Sequence, residues 1–371
     1  MKRHSLTPRT NWQQQVEALG FDFHSPDGNV YWDERACYSF SAAEIDMLET
    51  ATNELEAMCL KAVRYVIDNN LFNRLNIPPI AQDMITESWR AGDKHFYGRF
   101  DLAYDGHHPP KLLEYNADTP TALLEASVVQ WQWLESLMPE KDQFNSIHER
   151  LIDAWQRIGI NGKLHFASTN QSPEDLGTTI YLQDCANQAG LDTHFITMGD
   201  IGSDNNHFYD MDNNIIHNLF KLYPWEWMWE EEFAPLIHKS GLRIIEPAWK
   251  MLLSNKGILA ILWEMFENHP YLLKASLVES AISGDVVKKP IYGREGSNVT
   301  IRSQEANIST KGTYGAEGYV TQEYFSLPVF DGNYPIIGSW VVASQAAGMG
   351  IREDSSRITS DSARFIPHYF E

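Results

Sequence analysis

The sequence lacks the short signatures of several large enzyme classes. It contains no Gly-x4-Gly-Lys-Ser/Thr loop, no His-Glu-x-x-His, no paired Cys-x-x-Cys and no Gly-x-Ser-x-Gly elbow. These patterns respectively cradle nucleotide phosphates, bind catalytic zinc, bind structural zinc and present a nucleophilic serine. Their absence excludes P-loop proteins, zincins, Cys-based zinc modules and the common serine hydrolases.

Cysteine is scarce, and basic residues are outnumbered by acidic ones. Cys37, Cys59 and Cys185 are an odd number and lie far apart, which argues against a disulfide framework and fits a reducing cytosol. The chain has 29 Lys plus Arg against 50 Asp plus Glu, a formal net charge of −21. Such a charge repels phosphate backbones and anionic lipids, so we expect no nucleic-acid and no membrane partner.

Long apolar stretches are missing as well. The best apolar run, 258–263, is far shorter than the roughly 18 residues of a membrane span. The N-terminal MKRHSLTPRTNWQQQ is basic but has no apolar core of a signal peptide. We therefore expect a cytoplasmic protein. A length of 371 residues suggests about two or three packing units, although no repeat or linker marks a boundary.

Apolar periodicity predicts an α/β organisation in the N-terminal half. Ser41 and Glu44 form a capping box ahead of apolar residues at helical spacing, which predicts one long helix ending near Asn69. A strand, a helix and a strand at about 164–197 indicate a βαβ unit. The Trp- and Glu-rich segment 225–233 is typical of a short helical corner with a solvated acidic face.

Two further features concern local structure. Pro120 is predicted to open a helix in its first turn, with Asp118 or Thr119 as the cap. From Asp285 onward strand-like runs dominate, which predicts a C-terminal half rich in antiparallel strands, at 286–292, 298–302, 319–325, 336–343 and 347–351.

The stretch RFDLAYDGHHPPKLLEYNADT, residues 99–119, is the most informative for chemistry. Two extended runs flank turn residues, which predicts a hairpin. Side chains alternate along a strand, so Arg99 and Asp101 share one face and Glu114 and Asn116 share another. If these faces pair, one arginine and three hard oxygen donors converge, as in a phosphate-bridging Mg²⁺ site. The alternative is a surface ion-pair ladder.

Two weaker features involve lysines. KKPIYGREGSNV, residues 288–299, reads as a strand, a turn with Gly293 and Gly296, and a second strand. Glycines let backbone N–H groups approach a phosphate, and Lys289 supplies a point charge. Lys256 follows Ser254 and Asn255 at a helix start, where a lysine is ordinarily only solvated.

Several motifs together resemble the glutathionylspermidine synthase family, in particular its stand-alone synthetase-like members regarded as acid–amine ligases. They occur in the family's order: YGRFDLAYDG, LLEYNADTPT, LFKLYPWEWM, EPAWK, SNK, KKPIYGREGSNV, QEYF and GIRED. The resemblance covers residues 12–371 and implies an α/β, ATP-grasp-like fold with a preceding α/β region and a mobile lid, placed at about 256–325. Bifunctional members add an N-terminal amidase domain, for which this chain has no room, so we expect no amidase activity.

The resemblance also assigns roles. It implies Mg²⁺ binding by Asp101, Glu114 and Asn116, and a γ-phosphate and acyl-substrate contact for Arg99. It places other residues at ATP: Lys256, Lys289, Gly293, Gly296, Gln322, Glu323 and Tyr324. It places Arg352 near the acyl substrate, and Glu174 and Asp175 at the position of an acidic pair that contacts glutathione. Because Ser172-Pro-Glu-Asp is also a good helix start, capping alone would explain that pair.

The implied activity is ATP- and Mg²⁺-dependent amide formation from a carboxylate and an amine through an acyl phosphate, with ATPase activity. Glutathione and a polyamine are the first substrates to consider. One alternative is a nucleotide-binding protein of the same fold without ligase chemistry. A second is an ATP-grasp kinase without an amine acceptor. The sequence leaves the oligomeric state open.

Overall fold

The computed structural model describes residues 1–371, which form nineteen strands and ten helices, numbered here in chain order. The helices are α1 (Trp12–Glu17), α2 (Ala42–Asp68), α3 (Pro79–Ala91), α4 (Gln130–Leu137), α5 (Ile147–Ile158), α6 (Pro173–Gln188), α7 (Trp225–Met228), α8 (Ala234–Lys239), α9 (Met251–Ser254) and α10 (Ile258–Met265). A π-helical turn, Glu125–Val129, leads into α4, and short 3₁₀ turns occur at Pro26–Gly28, Phe72–Leu75, Met198–Asp200, Ala248–Lys250 and Glu279–Ala281. None of the helices combines the length and apolar character needed to cross a bilayer.

The central sheet is five-stranded and contains the predicted hairpin. Its antiparallel strands lie in the order β18 (Arg364–Ile366), β17 (Gln345–Asp354), β16 (Tyr334–Val342), β3 (Tyr97–Ala103) and β4 (Lys111–Asn116). Helix α2 packs across β16 and β17 and buries the apolar stripe read from the sequence, including Leu48, Leu55 and Val63. The Ser41–Glu44 capping box is present at its start. Both the long helix and the hairpin are therefore confirmed.

The parallel sheet contains the predicted βαβ unit. Its order is β10 (Arg243–Ile245), β9 (Asn218–Leu222), β5 (Leu164–Ser168) and β6 (Thr193–Thr197), with α6 connecting β5 to β6. Parallel strands are buried on both faces, and β5 and β9 are buried throughout. The loops after β5 and β9 lead to the cavity described below.

The outer sheet supplies the strand-rich character of the C-terminal half together with β16 and β17. It is antiparallel, in the order β11 (Ala275–Ser276), β15 (Tyr319–Glu323), β12 (Val286–Pro290), β13 (Thr300–Arg302) and β14 (Asn307–Ser309). The glycine-containing segment 291–299 connects β12 to β13. All five strands of this sheet lie within the stretch 256–325.

Two small sheets complete the fold. One joins both chain ends, because β2 (Ala36–Phe40) pairs with β1 (Lys2–Ser5) and β19 (His368–Phe370). The other is the short hairpin β7 (Gly202–Ser203) and β8 (Phe208–Tyr209). The structure is thus mixed α/β with several sheets, as expected.

One local prediction is wrong: Pro120 does not open a helix. Ala122 has φ of 66°, a left-handed value that interrupts any helix at this point, and the helical residues begin only at Leu123. Tertiary contacts hold residues 118–121 in a non-helical conformation. The Asp118 carboxylate accepts from Lys221 Nζ at 2.5 Å instead of capping a helix, and the Thr121 carbonyl accepts from Arg99 Nη1 at 2.7 Å.

Candidate active site

The hairpin pairs the two faces identified from the sequence. Arg99 lies opposite Asn116, and Asp101 lies opposite Glu114. Arg99 donates from Nε to Asp101 Oδ1 at 2.7 Å, and Asn116 Nδ2 lies 3.2 Å from Asp101 Oδ2 and 3.4 Å from Glu114 Oε1. The four side chains therefore form one cluster. Arg99 and Asp101 are buried and Glu114 and Asn116 are half-buried, which is unlike a surface ion-pair ladder.

Asp101 lies between two guanidinium groups. Besides Arg99, Arg352 Nη2 on β17, two strands away from β3 in the central sheet, donates to Asp101 Oδ2 at 2.9 Å. Burial raises the pKa of the Asp101 carboxyl, but the charges of Arg99 and Arg352 outweigh burial and hold the pKa below its ordinary value. The carboxyl is therefore ionised at neutral pH and offers oxygen lone pairs to a cation.

A glycine makes room for Arg99 within the sheet. Gly338 on β16 lies opposite Asp101, and a Cβ atom there would stand 2.8 Å from Arg99 Cδ. The next position of this face is Trp340, whose ring lies 5.7 Å from the Arg99 guanidinium carbon. Gly338 therefore lets the arginine stem lie flat on the sheet, with its guanidinium directed at Asp101.

Two lysines face the hairpin from the region 256–325. Lys256 Nζ lies 3.2 Å from Glu114 Oε2 and donates to the Gly293 carbonyl at 2.6 Å. Burial raises the pKa of Glu114, but the charges of Lys256 and Lys289 and the hydrogen bond from Lys256 together outweigh it, so the net pKa is below its ordinary value. Lys289 Nζ on β12 donates to the Leu113 carbonyl at 2.9 Å. Burial lowers the pKa of Lys289 to about 8, although Glu114 opposes this shift.

A cavity of about 450 Å³ lies between the central sheet, the outer sheet and the loops after β5 and β9. Twelve of the predicted site residues line it: Arg99, Asp101, Glu114, Asn116, Glu174, Asp175, Lys289, Gly296, Gln322, Glu323, Tyr324 and Arg352. The other two, Lys256 and Gly293, line a small adjoining cavity that shares Asn116 with the large one. The structure thus brings together residues that span more than 250 positions of sequence.

The far end of the cavity is framed by β15 and the segment that follows it. Gln322 accepts from Lys289 Nζ and donates to the Leu112 carbonyl, both at 2.9 Å, and so links the outer sheet to the hairpin. The Tyr324 hydroxyl accepts from Arg357 at 2.7 Å. Apolar side chains complete this end of the cavity: Val287, Val299, Ile301, Phe325, Leu327 and Ile336.

Glu174 and Asp175 line the opposite arm and also begin α6. Ser172 Oγ accepts from the Asp175 N–H at 3.2 Å, so the capping interpretation describes the backbone correctly. Burial, followed by the charge of Glu174, raises the pKa of Asp175 to about 6. Tyr223 and Trp227 stand on the same arm. This arm therefore combines carboxylates with aromatic faces.

An ion pair at the cavity was missed by the sequence interpretation. Arg294, in the turn between Gly293 and Gly296, donates to Glu226 Oε1 at 3.1 Å and to Thr119 Oγ1 at 2.8 Å. Glu226 was assigned to a solvated acidic face, but its side chain is only 11% exposed. The one available signal was the position of Arg294 inside the glycine-containing motif, since its partner lies 68 residues away.

The donor set of the hairpin fits a magnesium ion in its chemistry. Asp101 and Glu114 are ionised carboxylates, and the Asn116 amide can turn its oxygen toward them because the two amide orientations are sterically alike. The cluster offers two carboxylates and one amide, and the structure has no group of three or more His, Cys, Asp and Glu side chains arranged to hold a metal.

Comparison with known proteins places this arrangement in a family. The chain matches the family described as glutathionylspermidine synthase preATP-grasp over residues 3–371. It is 45% identical to a Haemophilus influenzae protein named, provisionally, an acid–amine ligase, with 100% of both chains covered. It is 30% identical to the trypanothione synthetase of Crithidia fasciculata, over 84% of this chain and 53% of that protein.

Two further comparisons have lower sequence identity. The chain is 25% identical to the bifunctional glutathionylspermidine synthetase/amidase of Escherichia coli strain K12, over 96% of this chain and 63% of that protein. The fold also resembles an apo glutathione synthetase-like effector, GSS30, from Globodera pallida, with a TM-score of 0.58, 12% identity and 99% and 98% of the two chains covered. The similarity to GSS30 concerns the fold alone.

The fold and these relatives define the class as an ATP-dependent carboxylate–amine ligase with an ATP-grasp-like architecture. Within that class, the chain belongs to the glutathionylspermidine synthase family. Both the family resemblance and the expected fold class are confirmed.

Proposed function

We propose that the protein joins a carboxylic acid to an amine through an acyl phosphate, in a reaction that requires Mg²⁺ and converts ATP to ADP and phosphate. The observation that carries this proposal is the hairpin cluster of Arg99, Asp101, Glu114 and Asn116, which faces Lys256 and Lys289. Cations and oxygen donors lie at one point of a cavity large enough for a nucleotide and an acid.

Phosphoryl transfer solves a leaving-group problem. A carboxylate reacts poorly with amines because its oxide leaving group is too basic. A carboxylate oxygen therefore attacks the γ-phosphorus, the bond to the β-phosphate oxygen breaks, and ADP leaves. The amine nitrogen then attacks the acyl carbon and the carbon–oxygen bond to phosphate breaks. The departing phosphate takes up the proton that the nitrogen loses, which gives the amide and inorganic phosphate. This chemistry depends on positioning and charge stabilisation more than on covalent participation of the protein.

We assign each residue a role in this reaction from its position in the cavity. Arg99 stabilises the transferring phosphoryl group, and Arg352, which shares Asp101 with Arg99, orients the acyl carboxylate. Lys256 and Lys289 hold the α- and β-phosphates beside the turn containing Gly293 and Gly296. Mg²⁺ held by Asp101, Glu114 and Asn116 would neutralise phosphate charge when bound.

The nucleoside part of ATP belongs at the apolar end of the cavity. Gln322, Glu323 and Tyr324 line this end together with apolar side chains from both antiparallel sheets, and such a wall suits a purine ring. The glycine-containing turn closes above the phosphates. Gly296 has φ of +67°, and a Cβ there would stand 2.7 Å from the Thr359 carbonyl oxygen, so the backbone approaches closely at this point.

The acidic and aromatic arm suits the acceptor amine. Glu174 and Asp175 supply negative charge, and Tyr223 supplies a ring face that attracts cations. The Trp227 ring already lies 5.7 Å from the Arg294 guanidinium carbon. The names of the relatives make glutathione and a polyamine the first substrates to test.

We further propose that residues 256–325 move as a lid over the acyl phosphate, because water would hydrolyse that intermediate. Three buried, free cysteines support a reducing, cytoplasmic location.

A screen of acids and amines tests the proposal. Purified protein with Mg²⁺ and ATP is assayed for ADP release, and each product is identified by mass spectrometry. We expect a carboxylate and an amine to stimulate release together above a basal ATPase rate and to give an amide. A phosphorylated product without amide would identify a kinase instead, and nucleotide binding without any release would identify a protein that lacks ligase chemistry. Chelation of Mg²⁺ should stop turnover.

A further inference from the structure

A second charged cluster lies on the opposite side of the hairpin, where the proposed chemistry makes no use of it. Glu56 comes from helix α2, Glu246 follows strand β10, and Lys250 ends a 3₁₀ turn. Glu56 is 2% exposed, and Glu246 and Lys250 are fully buried. Buried charges are costly, and an apolar set could fill the same volume. The EPAWK motif, residues 246–250, contains two of the three charges.

Glu246 and Lys250 hold the first strand by its backbone. The Glu246 carboxylate accepts from the N–H groups of Phe96 at 3.0 Å and Tyr97 at 2.9 Å, where β3 begins. Lys250 Nζ donates to the Tyr97 carbonyl at 2.7 Å and lies 3.4 Å from Glu246 Oε2. These bonds fix the start of β3 two residues before Arg99.

Glu56 and Lys250 hold the second strand through one side chain. The Tyr115 hydroxyl donates to Glu56 Oε2 at 2.9 Å, and Lys250 Nζ lies 5.5 Å from the centre of the Tyr115 ring. The ring stacks on Phe100 with centroids 3.9 Å apart and covers Gly98, where a Cβ would stand 2.7 Å from it. Tyr115 thus spans both strands.

The position of Tyr115 in the register links this cluster to the active-site face. Tyr115 lies between Glu114 and Asn116 on β4, and its stacking partner Phe100 lies between Arg99 and Asp101 on β3. Because side chains alternate, a shift of the Phe100–Tyr115 pair moves all four residues of the other face. We propose that Glu56, Glu246 and Lys250 are positioning residues that set the relative placement of Arg99, Asp101, Glu114 and Asn116. This inference rests on the proposed function.

Three substitutions test the cluster by changing the hydrogen bond between Tyr115 and Glu56. Tyr115→Phe removes one hydroxyl and keeps the ring stack, Glu56→Leu removes the acceptor, and Glu56→Gln keeps an acceptor oxygen. We expect Tyr115→Phe and Glu56→Leu to lower kcat about tenfold with the KM for ATP within about twofold, because misplacement affects the transition state more than nucleotide binding. Their double variant should be no slower than the Glu56→Leu variant, because Tyr115→Phe removes a hydrogen bond that Glu56→Leu already breaks. Glu56→Leu also removes the acceptor of the Ser344 hydroxyl at 3.4 Å, so it should be the slower of the two single variants. Glu56→Gln should recover most of the rate.

A matched control separates positioning from stability. Glu34 forms a buried ion pair with Arg9 at 2.6 Å, and neither residue lines the cavity. Glu34→Gln should lower Tm and leave kcat unchanged. If the hairpin variants also lower Tm with kcat within twofold of the parent, the cluster is merely structural and the inference is wrong. The parent is measured first, because an inactive parent would overturn the proposed function itself.

Discussion

Replacement of Arg99 by lysine is the most informative single perturbation of the active site. The Arg99 guanidinium donates to both oxygens of Asp101, at 2.7 and 3.2 Å, and to the Thr121 carbonyl at 2.7 Å. A lysine ammonium is a point charge on a flexible stem and cannot span these acceptors while also facing a phosphoryl group. The variant keeps the positive charge and loses the planar fork.

The size of the effect follows from the role assigned to Arg99. Arginines that stabilise a transferring phosphoryl group contribute roughly 10³- to 10⁵-fold to kcat. We therefore expect Arg99→Lys to lower kcat by about 10³-fold, which corresponds to about 4 kcal/mol of transition-state stabilisation. Asp101 retains its contact with Arg352, so the fold should persist.

This prediction is tested by two measurements: steady-state ADP release and the equilibrium binding of a non-cleavable ATP analogue. Nucleotide affinity should change little, because the lysines and the apolar end of the cavity remain. Arg9→Lys is the matched control, since Arg9 is also a buried arginine paired with a carboxylate and lies outside the cavity. A variant with kcat within tenfold of the parent would show that Arg99 does not act on the transition state.

Three further predictions concern the metal site, the phosphate lysine and the lid. Asp101→Asn and Glu114→Gln should each abolish nucleotide turnover while circular dichroism shows an intact fold; retained turnover would remove the residue from the metal site. The pKa of Lys289 is lowered to about 8, mainly by burial, so the free protein loses this charge as pH rises from 7 to 9. ATP binding measured by calorimetry should weaken over that range, whereas Lys289→Arg should bind ATP with little pH dependence. Limited proteolysis within 256–325 should slow when Mg²⁺ and ATP are added, and an unchanged cleavage pattern would argue against closure of a lid.

Local patterns in the sequence predicted the elements that depend on local physics. The capping box at Ser41 and Glu44 and the apolar periodicity that follows define α2, which runs from Ala42 to Asp68. Alternation along the strands predicted which residues share a face. The register itself, which pairs Arg99 with Asn116 and Asp101 with Glu114 and shifts after Asp101, comes from the structure. The βαβ unit at about 164–197 was also predictable, because its order of strand, helix and strand can be read from local patterns.

Features that depend on distant partners were not predictable in this way. Pro120 satisfies every local rule for a helix start, but Asp118 pairs with Lys221 instead of capping a helix, and the helical residues begin only at Leu123. Glu226 resembles a solvated glutamate until Arg294 is brought beside it. In both cases the deciding contact joins residues far apart in sequence, and single-sequence periodicity carries no information about such contacts.

Transfer of oxygen from the acid to phosphate tests the central claim most directly. The acid identified in the substrate screen is labelled with ¹⁸O in its reacting carboxylate and incubated with the protein, Mg²⁺, ATP and the amine. An acyl phosphate requires that one carboxylate oxygen leave with the phosphate, so each molecule of inorganic phosphate should carry one ¹⁸O from fully labelled acid. Amide formation with unlabelled phosphate would contradict the account.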